Sequence, residues 1–188
     1  MDPRPGRGPA LAPLEASFCV FAQARDASVD IDAWNRHAER FFATRVGLTE
    51  ERRGPATALD VVGFIVAPAD GRPAVRRAFA RPAQEADYVR AEAVEAGAGS
   101  GLARLARRCG MVWLVEREDE AAEPAAESVT EGALEGGGGA GARAAARGDR
   151  QALLLAAILA SILLGPILDG RARELFGVKT ARAKLEVR

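Results

Sequence analysis

The chain has 188 residues, enough for one domain with extensions. Basic and acidic residues balance at 26 each, so no global charge excess draws the chain to a nucleic-acid duplex. One histidine and two cysteines argue against a zinc site and exclude a four-cysteine iron–sulfur cluster. Cys19 and Cys109 read instead as buried thiols in a reducing cytosol.

Residues 1–14 are rich in proline and glycine, lack the apolar centre of a secretory signal, and read as a disordered arm. Residues 17–24, SFCVFAQA, form the first predicted strand. Asp30 is placed to N-cap a helix, with Asp32 in its first turn, where a carboxylate opposes the positive end of the helix dipole. Ile31, Trp34, Ala38, Phe41, Phe42 and Val46 recur at three- and four-residue spacing and make one apolar helix face. Gly47 then stands where a C-terminal glycine cap belongs. Residues 58–67, ALDVVGFIVA, are continuously apolar and predict a strand buried on both faces. Asp70-Gly71 marks a hairpin, and the return strand over 74–80 carries Arg76 and Arg77, which favour an exposed or edge position. Residues 84–96 pattern as a helix on Tyr88, Ala91 and Val94. The run Gly97 to Gly101 interrupts it, and Ser100 is placed to cap a second piece bearing Leu102, Leu105, Ala106 and Cys109. Met111 to Val115 is aromatic and β-branched, and predicts a strand.

Strand, helix, strand, strand, helix, strand is the ferredoxin-like βαββαβ order. Residues 15–117 are therefore expected to form a small α+β domain, a four-stranded antiparallel sheet with two helices on one face. Residues 118–150 are acidic and then rich in glycine and alanine. They hold too little apolar surface to offset their ordering entropy, and predict a disordered, flexible linker.

Residues 151–188 comprise a hydrophobic helix and a basic tail. From Ala152 to Leu168 the one polar side chain is Ser161. A helix with no polar face must be enclosed by something apolar: a bilayer, a core or a partner subunit. Seventeen helical residues span about 25 Å against roughly 30 Å of bilayer hydrocarbon, and Gly165-Pro166 shortens the uninterrupted part. The tail's basic residues would set the C-terminus on the cytoplasmic side of a membrane, in conflict with a cytoplasmic N-terminal domain.

Chemistry-bearing motifs are sparse. His37, in WNRHAER, borders the apolar stripe with no triad partner in view, and Phe41 stands where HExxH would need a second histidine. Gly136 to Gly141 matches GxGxxG only as a glycine run, with no strand before it. Gly97 to Gly101 precedes a helix start where backbone amides can cradle an anion, with Arg104, Arg107 and Arg108 following. Glu50 to Arg53 and Glu116 to Glu120 read as solvated charge clusters. Phe18, Phe21 and Phe79, with Arg76 and Arg77 near, do not fit the pattern of an RNA-reading sheet.

These residues assign no catalytic, cofactor or metal site. The expected protein is a non-enzymatic interaction or assembly module in the cytoplasm. Residues 152–168 would tether it to a membrane, or to a protein partner such as a second copy in a homo-oligomer. Nucleic acid is not an expected partner, although the basic tail offers that as a third reading. The runner-up is a small-ligand-binding α+β protein or enzyme with residues 152–168 packed in its core.

Overall fold

The computed structural model describes residues 17–24, 28–52, 60–96, 99–117 and 138–186. The expected N-terminal arm and residues 118–137 of the expected linker lie outside them. β1 (Ser17–Ala22) is buried at all six positions. It leads to α1 (Ile31–Phe42), where the Asp30 carboxylate accepts from the backbone N–H of Ala33 at 3.0 Å, as a side-chain N-cap should. Three strands follow: β2 (Thr44–Arg52), β3 (Asp60–Pro68) and β4 (Ala74–Pro82). α2 (Glu85–Glu95) and the short α3 (Leu102–Ala106) precede β5 (Met111–Glu116). The chain then forms α4 (Gly138–Leu163), β6 (Ile167–Asp169), β7 (Glu174–Phe176) and α5 (Val178–Glu186).

The strands make one seven-stranded sheet in the order β2-β3-β4-β5-β1-β6-β7, with antiparallel pairings throughout. This overturns the ferredoxin-like expectation of four strands with two helices on one face. α1, α4 and α5 cover one face of the sheet, and α2 and α3 pack on the other.

Two local features account for the difference. The apolar stripe of α1 does not run on to Val46. Ala43 adopts a left-handed conformation, with φ 47°, and ends the helix. Thr44 to Arg52 then pairs with β3 as an extra edge strand, and Gly47 sits inside it, not at a helix cap. At the far edge, β6 adds to β1 and β7 adds to β6, so β1 lies inside the sheet.

The Asp70-Gly71 hairpin is in place between β3 and β4. β4, however, is an interior strand. Its Arg76 is buried, its Nη2 donating to Gln151 Oε1 at 2.8 Å, while Arg77 points to solvent. β3 is not covered on both sides either. Val62, Phe64 and Val66 face the core, whereas Ile65 is 38% exposed beside Val75, its cross-strand partner, at 56%.

The apolar run needs no bilayer. α4 begins at Gly138, inside the stretch expected as linker, and its apolar half lies against the sheet, flanked by α1 and α5. Leu155, Ala156, Ala157, Ile158, Leu159 and Ala160 are each at most 1% exposed. Full burial of one leucine or isoleucine contributes about 1.5–3 kcal/mol, so this segment is a principal part of the core. Among the described residues, no helix is long and apolar enough to cross a membrane. The expected membrane anchor is thereby corrected: the apolar partner that residues 152–168 require is the protein's own sheet. The helices of the core meet the strands through an aromatic group, in which Trp34 stacks on Phe64 at 6.0 Å and meets Trp113 edge-on at 5.9 Å.

Gly165-Pro166 is the turn from α4 into β6. Phe21 N–H donates to Pro166 O, Gln23 N–H to Leu163 O, and the Gln23 side chain to Leu164 O at 2.8 Å. A Cβ on Gly165 would lie 1.8 Å from the carbonyl oxygen of Phe21. Gly165→Ala should therefore cost about 3 kcal/mol in denaturant unfolding, as over-packing against backbone does. Gly177→Ala is the control, because nothing lies within 4 Å of a Cβ there.

Candidate functional site

One broad cleft opens at the end of the sheet that carries the β3–β4 hairpin. It measures about 1090 Å³ and lies between the C-terminal end of α1, the hairpin, α4 and α5. On α4 the lining residues are Arg147, Arg150, Gln151 and Leu154, spaced so that they share one helix face. Arg40 comes from α1, Arg72 from the hairpin and Arg182 from α5. Five arginines thus converge on one depression.

The carboxylates lining the same cleft are Glu39, Asp70 and Glu186. Glu39 is already engaged, 3.0 Å from Arg45 Nε. Among the described residues, none of the five arginines makes an ion pair. Arg150 Nη2 donates to the carbonyl of Leu185 and ties α5 to α4. Arg40 sits over the Phe41 ring at 5.1 Å and Arg182 over the Phe42 ring at 5.6 Å, so both guanidinium groups are held by aromatic faces. The floor is fixed by Gln151. Its side-chain amide donates to Arg72 O at 2.9 Å, and its oxygen accepts from the buried Arg76. The hairpin is therefore anchored to α4 before any ligand arrives. Such a site attracts anions chemically, and its geometry is set by the fold.

The other sequence candidates are resolved individually. His37 has a partner after all: its Nε2 lies 2.8 Å from Ser161 Oγ, across the α1–α4 contact. The distance suits a base and a nucleophile, but the surroundings do not. Ser161 is inside α4, where backbone N–H groups are taken by the helix and none is left to hold an oxyanion. Among the described residues no carboxylate orients the other ring nitrogen. The pair is a polar clamp between two apolar helices.

Of the run Gly97 to Gly101, positions 97 and 98 lie outside the described residues, and from Gly99 onward the start of α3 is filled from within the chain. The Glu95 carboxylate turns back and accepts from Leu102 N at 2.8 Å, from Ala103 N at 2.9 Å and from the Ser100 hydroxyl, filling the start of α3. Those bonds, led by Ser100, hold its carboxyl below the usual glutamate range. Of the arginines that follow, Arg107 is engaged with Glu85 and Glu92. Gly136 to Gly141 is described only from Gly138, where α4 begins. Glu50 to Arg52 belong to β2 and Glu116 closes β5. Phe18, Phe21 and Phe79 are buried under helices and present no ring to solvent.

Cys19 and Cys109 are free, buried thiols. Burial pushes Cys19 up to about 12, with a smaller contribution from Asp87, and pushes Cys109 up to about 11. Neither is a nucleophile at neutral pH. Among the described residues, no three His, Cys, Asp or Glu side chains gather to hold a metal ion.

One further charge cluster is structural. Arg117, 4% exposed in its side chain, donates to Asp169 at 2.6 Å, stacks over Phe18 at 3.9 Å and lies 3.9 Å from Asp149. It joins the end of β5 to β6 and α4. Removing one member of such a buried pair typically costs about 3–5 kcal/mol.

No family model, curated protein or solved structure matches the chain. Function therefore rests on the cleft itself. Its arginines come from four separated elements, so no local sequence pattern groups them. The one legible signal was the helical spacing of 147, 150, 151 and 154.

His37 also carries a pH dependence. Partial burial, then the neighbouring Arg40 charge, holds its pKa below the ordinary histidine value of 6.5. Between those two values the unfolded chain binds a proton that the folded chain does not. Stability should fall as pH drops from the ordinary value toward the lowered one, with no further change above the ordinary value. A proton-NMR titration of the single histidine should give a midpoint below 6.5, and a midpoint at or above it would remove this contribution.

Proposed function

We propose that this protein is a non-enzymatic binding module for an anionic ligand carrying more than one charged group, seated in the arginine-lined cleft. The observation that carries the reading is the convergence of Arg40, Arg72, Arg147, Arg150 and Arg182 on one depression, none of them in an ion pair among the described residues. Arginine in such a setting offers forked donors that match phosphate or carboxylate oxygens. Like charges gathered outside ion pairs repel one another, and a bound anion relieves that repulsion.

This reading takes up the small-ligand alternative, with residues 152–168 in the core. It sets aside the enzyme branch, because His37 and Ser161 lack the donors that acyl chemistry needs. Free, buried Cys19 and Cys109 suit a reducing compartment, so the reading places the module in the cytosol.

Calorimetric titration with inorganic triphosphate at low ionic strength tests the proposal. Binding should weaken steeply with added salt. The double variant Arg72→Gln, Arg147→Gln should bind at least about tenfold more weakly, since a hydrogen bond to a charged group contributes roughly 1.5–3 kcal/mol. Both residues are exposed, so the melting temperature should be unchanged. No heat of binding in the parent protein, or equal affinity in the variant, would refute the reading.

A further inference from the structure

We infer that the anion this cleft receives is a nucleotide unit, a phosphate carrying a planar base, whether free or within a single strand. The inference rests on the anion-binding reading and adds its second half, the part of the ligand that is not charged.

Phosphate alone leaves much of the cleft unexplained. Phe41 is 41% exposed, among the few large apolar side chains at the surface, and it stands on the cleft wall beside the arginines. Guanidinium and phenyl groups alternate there, with Arg40 over Phe41 and Arg182 over Phe42. Alternating cations and aromatic faces are what a base and its phosphate need side by side: the base stacks on a π-face or a guanidinium plane, and the phosphate takes the forked N–H donors. Phe42 and Leu154 extend the apolar band toward the core.

The acidic residues of the cleft point the same way. Asp70 on the hairpin and Glu186 at the end of α5 find no donor on a bare polyphosphate. Both can accept hydrogen bonds from ribose hydroxyls or from the amino edge of a base. An acyl chain, the apolar half of a lipid anion, has nothing to donate to them. Size also bears on the form of the ligand. At about 1090 Å³ and open to solvent, the cleft has room for a nucleotide and leaves a strand a way in and out. A neutral net charge removes the duplex as a candidate, but an arginine groove with an aromatic wall is a single-strand arrangement.

Titration of the full chain with inorganic triphosphate, ATP and a short single-stranded oligoadenylate RNA tests this, with vesicles containing phosphatidylglycerol as a fourth probe. ATP or the oligomer should bind at least about tenfold tighter than triphosphate, the increment a stacked base brings. ATP preference identifies a free nucleotide, and preference for the oligomer alone identifies a strand; either supports the inference. Phe41→Ala also frees Arg40, so it should weaken triphosphate binding somewhat but ATP or oligomer binding at least about tenfold more, while Phe41→Trp should keep or enlarge the increment. Equal affinity for all three soluble probes overturns the inference and leaves the anion reading intact, as does preferential capture by the vesicles. Loss of triphosphate binding in Phe41→Ala to the same extent as ATP binding also overturns it, because Phe41 would then act only by shaping the cleft. Absence of triphosphate binding refutes the anion reading beneath it, and this inference with it.

Discussion

The structure depends on one constraint: the apolar half of α4 has no polar face, so it must be enclosed on every side. The sheet supplies the floor, through β1, β4, β5 and β6, and α1 and α5 supply the walls. Leu164, at the end of the run, is 64% exposed, and the helix stops there. Enclosure shapes the rest. Once α4 lies across the strands, its exit must turn sharply, and Gly165 admits the Phe21 carbonyl where no Cβ fits. That turn delivers β6 to the free edge of β1 and widens the sheet.

The same helix builds the candidate site. α4 changes character at Gln151. Beyond it the helix is apolar and buried, and before it Arg147 and Arg150 reach into the cleft. Gln151 joins the two regimes by holding the hairpin carbonyl with one end and the buried Arg76 with the other. The helix that carries Arg147 and Arg150 is thus continuous with the one that fills the core. Arg117 and Asp169 brace the helix from below, and the His37–Ser161 contact ties it to α1.

Much of the fold was legible. β1, β3, β4, β5 and the helices between them follow from periodicity, the Asp30 cap and the Asp70-Gly71 turn. β2 was not, because Val46 continues the apolar spacing of α1 and Gly47 resembles a helix stop. The true stop is Ala43, a residue with no sequence signature for a left-handed conformation. β6 and β7 are three residues each, too short for an alternation to register. The apolar run itself was read correctly as needing a partner, but hydrophobicity reports burial and not the identity of what does the burying. The site was least legible. Its arginines lie far apart in the chain, and only the fold brings them together. In the sequence Ser161 is the one polar side chain of its run and His37 borders the stripe of α1, and their pairing is how both are satisfied.

The central claim is that α4 belongs to the same cooperative core as the sheet. Native-state hydrogen exchange of the full chain tests it most directly. Amides from Leu155 to Leu163 should exchange only through global unfolding, with the same free energy as the protected amides of β1 and β5. Exchange of the α4 amides through a cheaper opening, with β1 and β5 still protected, would show a separable segment and contradict the account.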